Sequence, residues 1–159
     1  KNKAGLHPFV RDAWTANGSK TAGTWTEVFG AGPVGEEIFQ GWGYAVFTDA
    51  LTKAGKAAYD LPMYINGALN APDQKPGEDP SGRPIPHMFD IWKAGAPAID
   101  LIGIDIYYPN YVHWADQFRR ADNPVFVPEA NRAGQIDADA AGFHHPRKLR
   151  HQRTHALDR

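Results

Sequence analysis

The sequence predicts an α/β fold in which parallel strands alternate with helices, and three observations support this prediction. Short apolar runs typical of buried strands occur at Leu61–Leu69, Ile99–Tyr108 and Val125–Glu129. Segments with the apolar spacing of helices lie before and between these runs, so each crossover returns the chain to a parallel strand. No glycine-rich phosphate turn follows any of the runs, which favours part of a (β/α)8 barrel over a nucleotide-binding doubly wound sheet.

The helices are predicted from the spacing of apolar residues and from the glycines and prolines that flank them. Residues 18–35 and the proline-rich segment Ala71–Pro86 are predicted to be loops, the second of them long enough to suggest a functional role. Trp92 and Trp114 fall within helical patterns and are assigned to the core. The predicted helices are Pro8–Asn17, Glu36–Lys56, His87–Gly95, Tyr111–Arg120 and Ala133–Ala141.

The longest predicted helix, Glu36–Lys56, carries two neighbouring apolar stripes. The acidic pair Glu36–Glu37 suits a helix N-terminus, where the backbone dipole favours negative charge. The first stripe consists of Ile38, Trp42 and Ala45, and the second of Phe39, Val46 and Ala50.

Composition excludes several classes of function. The chain has 159 residues, 42% of them apolar, and a formal net charge of −1, as expected for one folded domain. Residues 144–159 contain five Lys or Arg and one Asp, so we expect a basic tail outside the folded part, which spans 1–143. The acidic remainder argues against a nucleic-acid partner. No apolar run is long enough for a membrane helix, and the lack of cysteine excludes disulfides.

Seven histidines raise the alternative of a metal-dependent hydrolase. The segment His151–His155 has the i, i+4 histidine spacing of a zinc-binding helix. However, Gln152 stands where a metalloprotease has its general-base glutamate, and no predicted strand end carries a histidine ligand. We therefore expect neither a metal nor another cofactor.

The strand Ile99–Tyr108 has two different faces. Its even positions Ile102, Ile104 and Ile106 are branched and apolar, as a face covered by helices requires. Its odd positions become polar towards the carboxyl end, at Asp105 and Tyr107. In a barrel this face looks inward, and catalytic groups collect at the carboxyl ends of the strands. The strand is therefore predicted to line a site.

Glu129 is the strongest candidate for a catalytic residue. It ends the apolar run Val125–Glu129 in phase with Val125 and Val127, so it is expected to face the same mouth. Glycoside hydrolysis needs two carboxyl groups, of which one attacks the sugar or activates water. Glu129 suits that role, and Tyr107, expected at the same height on the neighbouring strand, would orient it. The alternative is that Glu129 caps a helix or pairs with Arg132.

Other residues are candidates for substrate binding. Asn66 lies near the end of the first strand, where it would reach a sugar hydroxyl or, alternatively, form a turn. Asp105 either lines the site or satisfies nearby backbone groups, and we favour the structural role. Tyr108, Tyr111 and the proline-rich loop would supply an apolar surface on which a sugar ring stacks.

Three segments together resemble the bacterial β-galactosidase-like enzymes of glycoside hydrolase family 35. They read GKAAYDLPMYINGAL, PGEDPSGRPIPHMFDIWKAGAPAIDLIGIDIYYPNY and NPVFVPEANR, and the likeness spans about residues 6–141. The resemblance implies a retaining (β/α)8 barrel, in which Leu61–Leu69, Ile99–Tyr108 and Val125–Glu129 are strands five to seven. It also implies that Glu129 is the nucleophile and that Tyr107 supports it.

The resemblance has a gap. The family places its general acid in an Asn–Glu pair after strand four, and no such pair occurs in this sequence. Glu36 and Glu37 lie too far into their helix to replace it. We therefore expect a partial barrel that carries the nucleophile half and is inactive alone. The alternative is a non-catalytic carbohydrate-binding remnant. The expected partner is a carbohydrate, the exposed barrel edges would also allow self-association, and the family favours an exported protein.

Overall fold

The computed structural model describes residues 5–71, 74–78, 81–108 and 111–130, and it has an α/β fold. The predicted helix Ala133–Ala141, the tail 144–159 and the segment His151–His155 lie outside these residues. A short 3-10 helix, Pro86–Met88, leads directly into the fourth helix. The strands are β1 (Tyr64–Gly67), β2 (Leu101–Ile106) and β3 (Glu129–Ala130). The helices are α1 (Pro8–Ala16), α2 (Trp25–Phe29), α3 (Pro33–Ala58), α4 (Phe89–Gly95) and α5 (Tyr111–Phe118).

The three strands form one parallel sheet in the order β1–β2–β3. The chain passes from β1 to β2 through α4 and from β2 to β3 through α5, so the predicted parallel arrangement is confirmed. The register pairs Asn66 on β1 with Gly103 on β2, and Asp105 on β2 with Glu129 on β3. This register decides which side chains meet at the end of the sheet.

The helix-facing side of β2 is buried, as the sequence predicts. Ile102, Ile104 and Ile106 have exposed fractions of 2%, 0% and 6%. Trp92 on α4 belongs to the same core, and its indole nitrogen donates to the backbone oxygen of Gly82 at 2.9 Å. Trp114 is partly buried and packs against the core cluster. Other members of this cluster are Ile38, Ile85, Met88, Phe89 and Phe118.

Helix α3 is longer than predicted and buries one apolar stripe better than the other. It starts at Pro33. Proline suits the first helical position because a backbone N–H there would have no acceptor within the helix, so its absence costs nothing. Ile38 and Ala45 of the first stripe are fully buried. In the second stripe Phe39 is 53% exposed and Val46 is 45% exposed. This helix therefore presents an apolar face to solvent.

The prediction of a strand over Val125–Glu129 is wrong for most of that segment. Only Glu129–Ala130 is strand, and Val125 is 38% exposed rather than buried. The backbone nitrogen of Ile104 still donates to the carbonyl of Phe126 at 2.9 Å. Pro128 has no N–H and cannot continue the ladder, so regular pairing resumes only at Glu129.

The side chain of Asn123 takes the place of a pairing strand at the start of β2. It accepts from the backbone nitrogen of Ile102 at 2.9 Å and donates to the carbonyl of the same residue at 3.0 Å. It also donates to the carbonyl of Phe118 at 3.1 Å, and it is fully buried. One amide thus satisfies both backbone groups of Ile102 and ties the end of α5 to the sheet.

Within the described residues, no helix is both long enough and apolar enough to cross a membrane.

Candidate functional site

Three polar side chains meet near the carboxyl ends of β1 and β2, and these are Asn66, Asp105 and Glu129. The register places Asp105 level with Glu129 on the neighbouring strand. Asn66 reaches across from β1, and its Nδ2 donates to Glu129 Oε2 at 3.4 Å. Parallel pairing brings residues that are far apart in sequence to one end of the sheet, where sites form in α/β proteins.

Asp105 is the buried member of this group. Its exposed fraction is 5%, and its Oδ1 has no hydrogen-bond partner among the described residues. Burial, as the largest cause, and the neighbouring carboxylate of Glu129 together raise the pKa of Asp105 to about 6. A hydrogen bond from Asn66 favours the ionised form and opposes the shift. The sequence favoured a structural role for Asp105, in which it would satisfy nearby backbone groups. In the structure it interacts with Glu129 and Asn66.

Glu129 is the exposed member of the group. A carboxylate in this position is open to a ligand, while its backbone is held by pairing with β2. Asn66 lies in β1 rather than in a turn, and it contacts Glu129 directly. The arrangement is thus one solvated carboxylate, one buried carboxyl group and one amide that hydrogen-bonds to both.

Tyr107 lies at a different height from the one expected. The position level with Glu129 belongs to Asp105, and Tyr107 follows two residues later, just beyond the end of β2. Its side chain is 45% exposed. The expectation that Tyr107 and Glu129 are level is therefore wrong, because a strand pattern gives the face of a residue but not the register between strands.

The proposed stacking surface is placed only in part. Tyr108 is partly buried and packs against the hydrophobic core cluster, so its ring is not an open platform. The side chain of Tyr111 and several residues of the segment Ala71–Pro86 lie outside the described residues, as does Arg132.

Gly103 allows the segment that leads into Glu129 to pack closely against β2. A Cβ on Gly103 would lie 2.7 Å from Cδ of Pro128 and 3.3 Å from Cδ1 of Phe126. Val127 packs instead against the core cluster. The expectation that Val125, Val127 and Glu129 share one regular phase is therefore wrong. In that phase Val127 would lie on the face of β2 that carries Gly103, but Pro128 lies there instead.

A second buried polar pair was not predicted from the sequence. Glu37 on α3 is fully buried, and its Oε1 lies 2.8 Å from Nε2 of His87. Its Oε2 accepts from the backbone nitrogen of Gly77 at 3.1 Å. Glu36, by contrast, is exposed. Glu37 therefore connects α3 to the segments around Gly77 and His87, a role that nothing in the local sequence indicates.

The part of the chain that the structure describes contains no group of three or more histidine, aspartate or glutamate side chains arranged to hold a metal ion. The chemistry available at the site is that of the carboxyl pair. A solvated carboxylate can act as a nucleophile or a base, and a buried carboxyl group can hold a proton.

Comparison with known proteins gives no assignment. No protein-family model matches the chain, and no curated protein matches it either.

Proposed function

We propose that this chain carries the nucleophile half of a retaining β-glycosidase with a (β/α)8-barrel fold. Its substrate would be a terminal β-linked sugar, such as a β-galactoside. Glu129 attacks the anomeric carbon as the glycosidic bond breaks, and water then hydrolyses the glycosyl ester that results. The leaving oxygen takes its proton from a general acid, a role that we assign to none of the described carboxyl groups. Asn66 holds the carboxylate of Glu129, and the segment resemblance to glycoside hydrolase family 35 supports this assignment.

The observation that carries the proposal is the position of Glu129. A strained or buried carboxylate would be a poor nucleophile for a bulky sugar, but this one is exposed at the carboxyl end of a parallel sheet. A hydrogen bond from Asn66 at 3.4 Å orients it. The parallel sheet with connecting helices is also the unit from which (β/α)8 barrels are built.

Asp105 does not suit the role of general acid. A general acid must reach the glycosidic oxygen, whereas Asp105 is 5% exposed and lies beside the nucleophile. In a retaining enzyme the two catalytic carboxyl groups lie on either side of the scissile bond. The proposal therefore assigns chemistry to Glu129 alone among the described carboxyl groups.

The test is covalent trapping with a 2-deoxy-2-fluoro galactosyl fluoride, followed by peptide mass spectrometry. Fluoride leaves without protonation, so the reaction depends on the nucleophile and not on a general acid. We expect slow addition of one fluorosugar to Glu129. An alkyl β-galactoside, whose leaving oxygen needs a proton, should react on the order of 10²–10⁴-fold more slowly than in an enzyme with a general acid.

The matched control is Glu129→Gln, which keeps the shape of the side chain and removes the nucleophilic charge. It should not be labelled, while Glu36→Gln, at an exposed carboxylate on α3, should be labelled like the parent chain. Labelling of another residue, or equal labelling of Glu129→Gln, would disprove the assignment. Sugar binding without any labelling would favour the non-catalytic alternative.

A further inference from the structure

The carboxyl groups of Asp105 and Glu129 have opposite environments although they are neighbours. Their Cα atoms are partners across β2 and β3, and adjacent strands are about 4.8 Å apart. Asp105 is buried and its Oδ1 has no partner among the described residues, while Glu129 is open to solvent. Negative charges on these two neighbouring carboxyl groups would repel each other, and burial disfavours the charge on Asp105.

We propose that Asp105 is a positioning residue that holds a proton beside Glu129, so that the pair carries one negative charge and that charge stays on the nucleophile. This inference rests on the proposed function in naming Glu129 the nucleophile. A proton on Oδ1 turns an orphaned, buried acceptor into a neutral O–H group, and it removes the repulsion that would push Glu129 away from the sheet.

The amide of Asn66 distinguishes the two oxygen environments. Its N–H groups hydrogen-bond to Glu129 and to Asp105, and they favour unprotonated oxygens at those contacts. We therefore place the proton on Oδ1 of Asp105, the buried oxygen that has no hydrogen-bond partner among the described residues. Asn66 thus fixes the geometry of the carboxyl pair as well as that of Glu129.

The groups that act on this proton come from both neighbouring strands. Glu129 on β3 acts through its charge, and Asn66 on β1 acts through its hydrogen bond, while burial has the largest effect. Burial and the charge of Glu129 raise the pKa of Asp105 to about 6, against the opposing effect of the Asn66 hydrogen bond. Asp105 is therefore expected to hold its proton in mildly acidic solution and to lose it near neutral pH.

The direct test is a carboxyl ¹³C NMR titration of the whole chain, with the Asp105 signal assigned by its absence in Asp105→Asn. We expect a midpoint near 6. Glu129→Gln should lower this midpoint because it removes the neighbouring charge. Asn66→Ala should raise it because it removes a bond to the ionised form. A midpoint near the ordinary aspartate value, or one unaffected by Glu129→Gln, would overturn the proposal.

A second readout is the rate of fluorosugar labelling as a function of pH. In the parent chain the rate should fall by up to tenfold per pH unit above the midpoint, because ionised Asp105 displaces Glu129. In Asp105→Asn, which is neutral throughout, this fall should be absent. A purely structural role would change the rate at all pH values alike, and that result would also overturn the proposal.

The two readouts separate this inference from the proposed function. A raised midpoint that depends on Glu129, combined with labelling at a different residue, would support a proton on Asp105 and refute the assignment of Glu129 as the nucleophile. An ordinary midpoint, combined with labelling of Glu129 at a rate that does not decline with pH, would support Glu129 as the nucleophile and refute the proton on Asp105.

Discussion

Asp105 couples the proposed chemistry to the stability of the fold. Its pKa is raised from 3.8 to about 6 in the folded chain, so the folded state binds the proton more tightly than the unfolded state. The stability that this proton contributes is fully present below about pH 4 and is lost as the pH rises through 6. A shift of this size corresponds to at most about 3 kcal/mol.

Asp105→Asn should remove this pH dependence, because the amide does not titrate. We expect the free energy of unfolding of the variant, relative to the parent chain, to increase by up to about 3 kcal/mol between pH 4 and pH 7. Urea unfolding at both pH values measures the difference. Other carboxyl groups, such as Asp49 and Asp100, have lowered pKa values, but they are present in both chains and cancel. An equal difference at the two pH values would contradict the expectation.

At the level of single residues, the sequence predicted types of role better than it predicted partners. Asn66, Asp105 and Glu129 were all chosen because they lie near strand ends, and they do meet. The pairing of Asp105 rather than Tyr107 with Glu129 depends on the register, which is set by packing across the sheet. The buried Glu37–His87 contact spans 50 residues, and no local pattern could have indicated it.

At the level of elements, the approach of the segment before β3 to β2 requires a glycine. In Gly103→Ala the new Cβ would lie 2.7 Å from Cδ of Pro128, and a proline ring has little freedom to move. Because Pro128 directly precedes Glu129, relief of this clash should shift the nucleophile. We expect a destabilisation of about 1–3 kcal/mol and slower fluorosugar labelling, measured by urea unfolding and mass spectrometry.

Gly43→Ala is the matched control for this substitution. Gly43 lies within α3, and a Cβ there would meet nothing within 4 Å. Alanine stabilises a helix interior by about 0.5–1 kcal/mol relative to glycine, so the control should be slightly more stable and should label normally. If Gly103→Ala behaved in the same way, the close approach of Pro128 would not matter to the site.

Elements with strong local signals could be predicted, and elements that depend on side-chain pairing could not. The helices α1, α4 and α5 fall inside predicted segments. The short helix α2 was taken for loop, although Thr24 and Glu27 form a capping box, a T-x-x-E signal that is legible in the sequence. The predicted strand Val125–Glu129 is mostly irregular because Pro128 and the Asn123 side chain replace its ladder, which hydrophobicity alone does not reveal.

At the level of the whole molecule, apolar surface is left uncovered. The sheet of the described residues has β1 and β3 at its edges, and strand edges favour pairing with another chain. Helix α3 adds an apolar face that is exposed to solvent. The periodicity of the second stripe predicts that this face is apolar, but it does not predict that the face is exposed. The large exposed side chains of this helix are Phe39, Trp42, Tyr44, Val46, Phe47 and Leu51.

We therefore expect the chain to associate with itself in solution as its concentration rises, because exposed apolar patches of this kind favour contact between copies. Phe47 and Leu51 are 62% and 56% exposed and lie one turn apart. The double substitution Phe47→Lys and Leu51→Lys should shift the population towards monomer in sedimentation velocity and reduce the fluorescence of a bound hydrophobic dye. Gln117→Lys, at an exposed polar position on α5 and so away from the apolar face of α3, is the control for added charge and should leave both unchanged. A parent chain that stays monomeric and does not bind dye, or an equal effect of Gln117→Lys, would show that this face does not drive association.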